Sequence, residues 1–475
     1  MTELGIKTSQ HSIGTLLAVV GAGVLISLMA VLVDYGPQMI IAAVFLFTLI
    51  NIAFRWPLVV VGFLLVTGSL SWSFVTGEEK VFFSSLGGLD INGVRLLGVI
   101  VAFSIVLFVR PEGRARMLTL KPYVVFLMVA AVGLLYTWNF NSGIRLWSKL
   151  LYPYIIFCII LVEVNDEVTL RRMVRVFFWA ALVAFISIPV SLYFGLGTEF
   201  EADMIKLGGG ATHRSPFAFF VMCVTCISAS LYIYLKERKY LWMTILGSVA
   251  VFFSLTRIAI AGLLVALGTI YFRRSVWKGI IVMVFLVTIV ANYEPLSRRM
   301  FYGGSTTTWT DLIVEPSRFF TDVNAMGRFP AWGAGILGMF AKSPVMGMGI
   351  GSTTGIEYEA GNYLTAMHSE VVRILAEMGL VGITLFLFAY FHLIRKVNAD
   401  RSQHDSSLTA ACTLAVPAMV MGFFVTCFTD NSLDYYTMLG QNIFAIAALA
   451  IKSRELDQLR PMDTSPSAGM VRNEE

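Results

Sequence analysis

Long apolar runs separated by short polar breaks recur from about residue 13 to residue 451. Candidate spans fall at 13–33, 37–54, 57–75, 92–109, 122–138, 146–163, 173–194, 216–235, 240–254, 257–272, 276–291, 372–391, 408–427 and 433–451. Most approach the roughly 17 to 25 residues that a helix needs to cross a hydrocarbon core of about 30 Å. The runs mix Trp, Phe and Gly without strict alternation. Helices, which satisfy their own backbone groups in lipid, therefore fit better than barrel strands. The pattern predicts an all-α polytopic membrane protein of about 12 to 14 transmembrane helices and excludes a soluble enzyme on a single anchor.

One long interruption divides the chain. The expected organisation is a short N-terminus (1–12), an N-terminal bundle of about 11 helices (13–291), a large external loop (292–371), C-terminal helices (372–451) and a disordered tail (452–475) rich in Pro and Ser. The loop carries Trp309, Phe319, Phe320, Phe329, Trp332 and Phe340, so 328–341 is expected to form a helix along the membrane surface. Gly347, Gly349, Gly351 and Gly355 follow Pro344 and predict positive φ or close backbone approach. They make no Walker loop, because the Gly-Lys-Ser/Thr ending is absent.

Charge gives the runs a sidedness. Arg110, Arg114, Arg116 and Lys121 share one parity with Arg171, Arg172 and Arg175, with Lys236, Arg238 and Lys239, with Arg273, Arg274 and Lys278, and with Arg395, Lys396 and Arg401. By the positive-inside rule these loops and both termini face the cytoplasm, and the His368 loop faces outward. That parity requires a tight external turn at Ser254–Thr256, with Arg257 at its apex, rather than one long helix over 240–272. Composition agrees: 57% hydrophobic, 14% charged and mean hydropathy +0.77, against about 25% charged residues in soluble domains. The net charge of +5 is dispersed in short clusters, which excludes a nucleic-acid patch. Cys158, Cys223, Cys226, Cys412 and Cys427 lie in or beside apolar segments and read as small hydrophobes, not as a zinc or disulfide set.

On the expected outer side stand His213, Arg214, Arg257, Arg328 and His368. His368 precedes Ser369-Glu370 and an apolar helix. An imidazole there can take the proton of a sugar hydroxyl near neutral pH, or it can belong to the helix start, with Ser369 or Glu370 satisfying backbone donors. Arg257 can clamp a diphosphate or snorkel to the interface. Arg328, and Arg214 with His213, can bind the same anion or anchor their loops. Glu199, Glu201 and Asp203 can orient arginines or contact sugars, or simply face solvent, and Asp430 and Asp434 can orient His368 or Arg257 across the bundle. No His-Glu-x-x-His helix occurs, so neither metal nor cofactor is expected.

Three ordered motifs resemble the bacterial O-antigen ligase and Wzy-type polysaccharide polymerase superfamily. They are the Gly327-Arg328 pair before Phe329 and Trp332, the Pro344-Val345-Met346-Gly347-Met348-Gly349 turn, and the stretch from His368 through Ala376-Glu377-Met378-Gly379-Leu380-Val381-Gly382, with Thr256-Arg257 upstream. Ser369 departs from the Asn common after the family histidine. The resemblance implies a GT-C-like fold in the bacterial inner membrane with its site facing the periplasm. It implies inverting, metal-independent transfer of a glycan from an undecaprenyl diphosphate carrier. The acceptor would be lipid A-core for a ligase or a second carrier-linked glycan for a polymerase, with membrane lipids and a chain-length regulator as further partners. His368 would be the base, Arg257, Arg328 and Arg214 the diphosphate ligands, and His213, Glu199, Asp430 and Asp434 supporting or sugar-binding residues. A protein O-glycosyltransferase, a lipid-linked glycan flippase or transporter, and a noncatalytic assembly component are the competing classes.

Overall fold

The computed structural model describes residues 48, 51–70, 91–110, 113–194, 199–201, 204–206, 209, 214–292, 311, 314–315, 328–359, 362–363, 367–399 and 406–459. The expected span at 13–33, most of that at 37–54, the end of that at 57–75 and the tail beyond 459 lie outside them. The main helices are α1 (Pro57–Val66), α2 (Ile91–Val109), α3 (Lys121–Gly133), α4 (Phe140–Glu163), α5 (Glu167–Phe194), α6 (Arg214–Leu235), α7 (Arg238–Phe253), α8 (Arg257–Phe272), α9 (Val276–Asn292), α10 (Glu370–Asn398), α11 (Ser407–Thr429) and α12 (Tyr436–Leu459). Five of them, α4, α5, α6, α10 and α11, are long and apolar enough to cross a membrane, and α1, α3, α8 and the second half of α2 are shorter apolar helices. Apart from two small hairpins, the described chain is an all-α, multi-pass membrane protein.

Its outer faces are as apolar as its interior: Phe108, Met128, Trp179, Phe388 and Phe391 are all more than half exposed. Lipid offers apolar groups the same welcome, so the helices associate through close packing and polar ties. A Cβ on Gly262 of α8 would sit 3.0 Å from the carbonyl oxygen of Gly422 in α11 and 2.9 Å from Met222 Sδ in α6. These small residues let three backbones approach. At the centre, Tyr123, Tyr154, Tyr390, Tyr436 and Phe444 pack ring to ring. Tyr123 donates its hydroxyl to Leu150 O at 2.9 Å, and the Tyr390 and Tyr436 hydroxyls bond to each other.

The basic loops gather at one end of the bundle. Arg110 pairs with Glu163 at 2.8 Å, Arg116 with Glu455 at 2.5 Å, and Arg273 donates to Asn398 at 2.9 Å. Such partners carry α12 past residue 451, where a disordered tail is expected, to Leu459. Asp457 accepts from the Ser406 amide at 2.9 Å, and Arg454 donates to Val397 O at 2.7 Å. A tight turn separates α7 from α8: Leu255 has φ +52°, and Ser254 Oγ accepts from the Thr256 amide at 3.2 Å.

α10 is broken at Gly379 (φ +64°, ψ −161°), and the break accommodates a strap. Leu380 and Val381 donate to Pro344 O (2.8 Å) and Val345 O (3.1 Å), while Met348 and Gly349 donate to Ala376 O (3.0 Å) and Glu377 O (2.9 Å). Residues 344–349 thus take over the two helix bonds that would have joined 376 to 380 and 377 to 381. Irregular backbone is tolerated near membrane depth when it is satisfied by protein in this way. The two glycine-bearing motifs of the sequence are the two halves of this joint.

Candidate functional site

At the end opposite the basic loops, Ser369 caps α10, its Oγ accepting from the Val372 amide at 3.4 Å. Glu370 reaches sideways instead, accepting from the Leu433 amide at 2.9 Å. Capping is therefore done without His368, whose imidazole is left for other work. His368 adopts φ +50°, a region in which His is several-fold enriched among non-glycine residues. Asn431 holds it twice: Asn431 Oδ1 accepts from the His368 backbone N–H at 2.7 Å, and Asn431 Nδ2 lies 3.2 Å from His368 Nδ1.

The stretch expected to be helical forms a helical turn Arg328–Gly333, a π-helical stretch Ala334–Met339 and a 3-10 turn Phe340–Lys342. Trp332 donates its indole N–H to Met367 O at 3.0 Å. Ala331, Met367 and Val372 form a small buried cluster with Trp332, Ala334 and Ile356 against it. This fastens Arg328 beside His368. The Nε of Arg328 is buried without a hydrogen-bond partner among the described residues, so the guanidinium keeps a donor in reserve.

The α11–α12 turn supplies the third wall. Asp430 is buried, accepts from the Asn431 amide at 2.7 Å and from Ser215, and feels the charges of Arg328 and His368. Burial raises its carboxyl above the usual range, against the pull of those partners. Burial and then Arg328 push His368 below its ordinary value, with Asp430 and Asp434 opposing. Burial likewise lowers Arg328, with Asp430 opposing. Asp434 is raised by burial but drawn below the usual range on balance by Arg373 and Lys149, which reach it at 3.3 and 3.2 Å. Arg373, itself buried in α10, also pairs with Glu370 at 3.7 Å and Glu377 at 3.4 Å. Glu377 in turn accepts from Thr353 Oγ1 at 2.5 Å, which ties this network to the strap.

Arg214 opens α6 next to Ser215 and so stands close to Asp430. Arg257 opens α8. Because Gly262 meets Gly422 and Thr426 on antiparallel α11, the Arg257 end of α8 lies at the Asp430 end of α11. Glu199 sits in the hairpin Glu199–Glu201/Met204–Lys206, opposite Lys206. His213 lies outside the described residues. Among the described residues no group of three or more His, Cys, Asp or Glu is placed to hold a metal ion.

Residues 242–387 match the family model described as O-antigen ligase. This stretch is similar to the O-antigen ligase family. No curated protein matches the chain. The O-antigen ligase match runs from within α7 to within α10 and so includes Arg257, Arg328, the strap and His368. Arg214, Lys149 and the whole 430–434 turn lie outside it, so the wall that grips His368 comes from the remainder of the bundle. Asn431, Arg373 and Lys149 are the site residues that sequence reasoning missed. For the two cations a signal existed: charges inside apolar runs, with Glu370, Arg373 and Glu377 at helical i, i+3 and i+4 spacing.

Proposed function

We propose that the protein is a GT-C-like glycosyltransferase of the bacterial inner membrane that moves a glycan from a polyprenyl diphosphate to an acceptor hydroxyl on the periplasmic side. The observation that carries this reading is the convergence of Arg328, His368 and Asp430, from three distant parts of the chain, at the end of the bundle away from the basic loops. The carrier's tail stays among the helices while its diphosphate meets the arginines, so the membrane itself positions a poorly soluble donor. An acceptor oxygen bonds to the anomeric carbon, the carbon–oxygen bond to the diphosphate breaks, and its electron pair leaves with the phosphate. In-line attack inverts the anomeric centre. Arg328, Arg257 and Arg214 supply the positive charge that gathers around the leaving group, in place of a divalent ion. The acceptor hydroxyl gives up its proton as its oxygen bonds to the anomeric carbon, to His368 as the base or to water at the mouth of the site, and His368 hydrogen-bonds one of the two reacting oxygens. His213, Glu199, Asp430 and Asp434 orient these groups or contact sugars. The O-antigen ligase match supports a ligase, for which the resemblance implies lipid A-core as the acceptor; joining of carrier-linked repeat units by a polymerase is the second reading.

The test is transfer by the purified protein in nanodiscs, from a defined undecaprenyl diphosphate glycan to lipid A-core, to a second carrier-linked glycan, or to a protein. A single attachment to lipid A-core supports the ligase; chain growth or protein labelling reassigns the acceptor. Turnover in His368→Ala equal to the parent, or movement of the intact donor across the bilayer without transfer, refutes the reading.

A further inference from the structure

The two contacts between Asn431 and His368 determine more than the ring's position. A backbone N–H can only donate, so the oxygen of the Asn431 amide must be the atom facing the His368 amide at 2.7 Å. That orientation turns the Asn431 NH2 toward the ring, 3.2 Å from Nδ1. An NH2 cannot accept, so Nδ1 must present its lone pair, and a neutral imidazole with a bare Nδ1 carries its proton on Nε2. Flipping the amide would rescue the other tautomer only by setting two donors, Asn431 Nδ2 and the His368 N–H, against each other. The left-handed backbone of His368 and the cap at Ser369 hold that N–H in place.

We infer that Asn431 is a positioning residue that fixes the Nε2–H tautomer of His368, so that the imidazole works as a neutral hydrogen-bond donor to the departing diphosphate rather than as the base for the acceptor hydroxyl. The inference rests on the proposed glycan transfer and refines it. As the acceptor oxygen bonds to the anomeric carbon, the electron pair of the broken bond settles on the phosphate oxygen, where Nε2–H and the arginines meet it. The acceptor's proton passes to water at the mouth of the site. A neutral imidazole held as a donor by its surroundings is an established catalytic device. Protonation would place Nδ1–H against the Asn431 NH2, which agrees with the downward direction that burial and Arg328 already impose on the ring. The groups facing it are Arg328, Asp430 and Asp434.

Nitrogen-15 NMR of the histidine-labelled full chain in nanodiscs, with the His368 signals identified by their loss in His368→Gln, reads the tautomer without reference to activity. A pyridine-like Nδ1 and a pyrrole-like Nε2 are expected; the reverse pattern overturns the inference. Two variants test the role. Glutamine keeps an N–H donor but is no base, so His368→Gln should retain at least about tenfold more turnover than His368→Ala, as suits one hydrogen bond to a charged group. Equal losses overturn the donor role. In Asn431→Asp a carboxylate accepts from both the backbone and Nδ1–H, which strips the proton from Nε2. Its turnover should fall at least about tenfold with donor KM little changed and with the nitrogen-15 pattern inverted. Parent-like turnover with that inverted pattern restores the base role. If the parent transfers no glycan while the NMR pattern is as expected, the proposed function fails and the tautomer assignment stands.

Discussion

Gly379→Ala tests whether the broken helix and its strap are one joint. The native φ and ψ of +64° and −161° fall in a region essentially restricted to glycine, which costs a residue with a side chain about 1–3 kcal/mol. The new Cβ would also stand 2.3 Å from Val345 O and 2.4 Å from its carbonyl carbon, both backbone atoms that cannot swing aside. If α10 instead closes into a continuous helix, two helix bonds form and four strap bonds are lost. The net loss of two buried bonds, at about 0.5–1.5 kcal/mol each, leaves the same order of deficit, and the strap's own amides and carbonyls are orphaned in addition. Either route costs about 2 kcal/mol or more. Thermal unfolding in detergent should show a midpoint several degrees lower. A cysteine at Ile350, fully buried beside the strap, should become reactive to a thiol reagent in the Gly379→Ala background, where the native cysteines, all buried, give little signal. An unchanged midpoint together with an unchanged, shielded Ile350→Cys would refute the joint.

Three further outcomes follow from the same structure. Arg373→Met leaves Glu370, Glu377 and Asp434 without their shared cation and should cost about 3–5 kcal/mol, read as loss of folded, monodisperse protein in detergent; parent-like unfolding would contradict the network's role. Gly262→Val drives a side chain into Gly422 and Met222 and should destabilise by about 1–3 kcal/mol, with Gly262→Ala milder; no difference between the two would mean that α8 and α11 are not in close contact. In an NMR titration His368 should lose its charge below its ordinary value near 6.5. Because the Arg328 cation disfavours imidazolium, Arg328→Gln should move the midpoint upward; a downward or absent shift would separate the two residues.

The apolar runs determined the helices wherever the described residues allow comparison, because a span in lipid must bond its own backbone whatever its neighbours do. The periodic basic clusters also revealed which loops share an end, since α10, α11 and α12 can only alternate between two ends of the bundle. His368, Arg257 and Arg328 stood out in the sequence as basic residues beside apolar runs, and the glycines of the Pro344–Gly349 turn as backbone that needs positive φ or close approach. What the chain alone left open was every partnership across it. The bond between His368 and Asn431 joins positions 63 apart, that between Lys149 and Asp434 positions 285 apart, and no local propensity encodes either. The strap was hidden for a related reason: its hydrogen bonds replace those of a helix whose sequence still looks continuous. Only the tertiary structure decided that the Asn431 side chain faces both the backbone N–H and the Nδ1 of His368, the placement from which the tautomer is inferred.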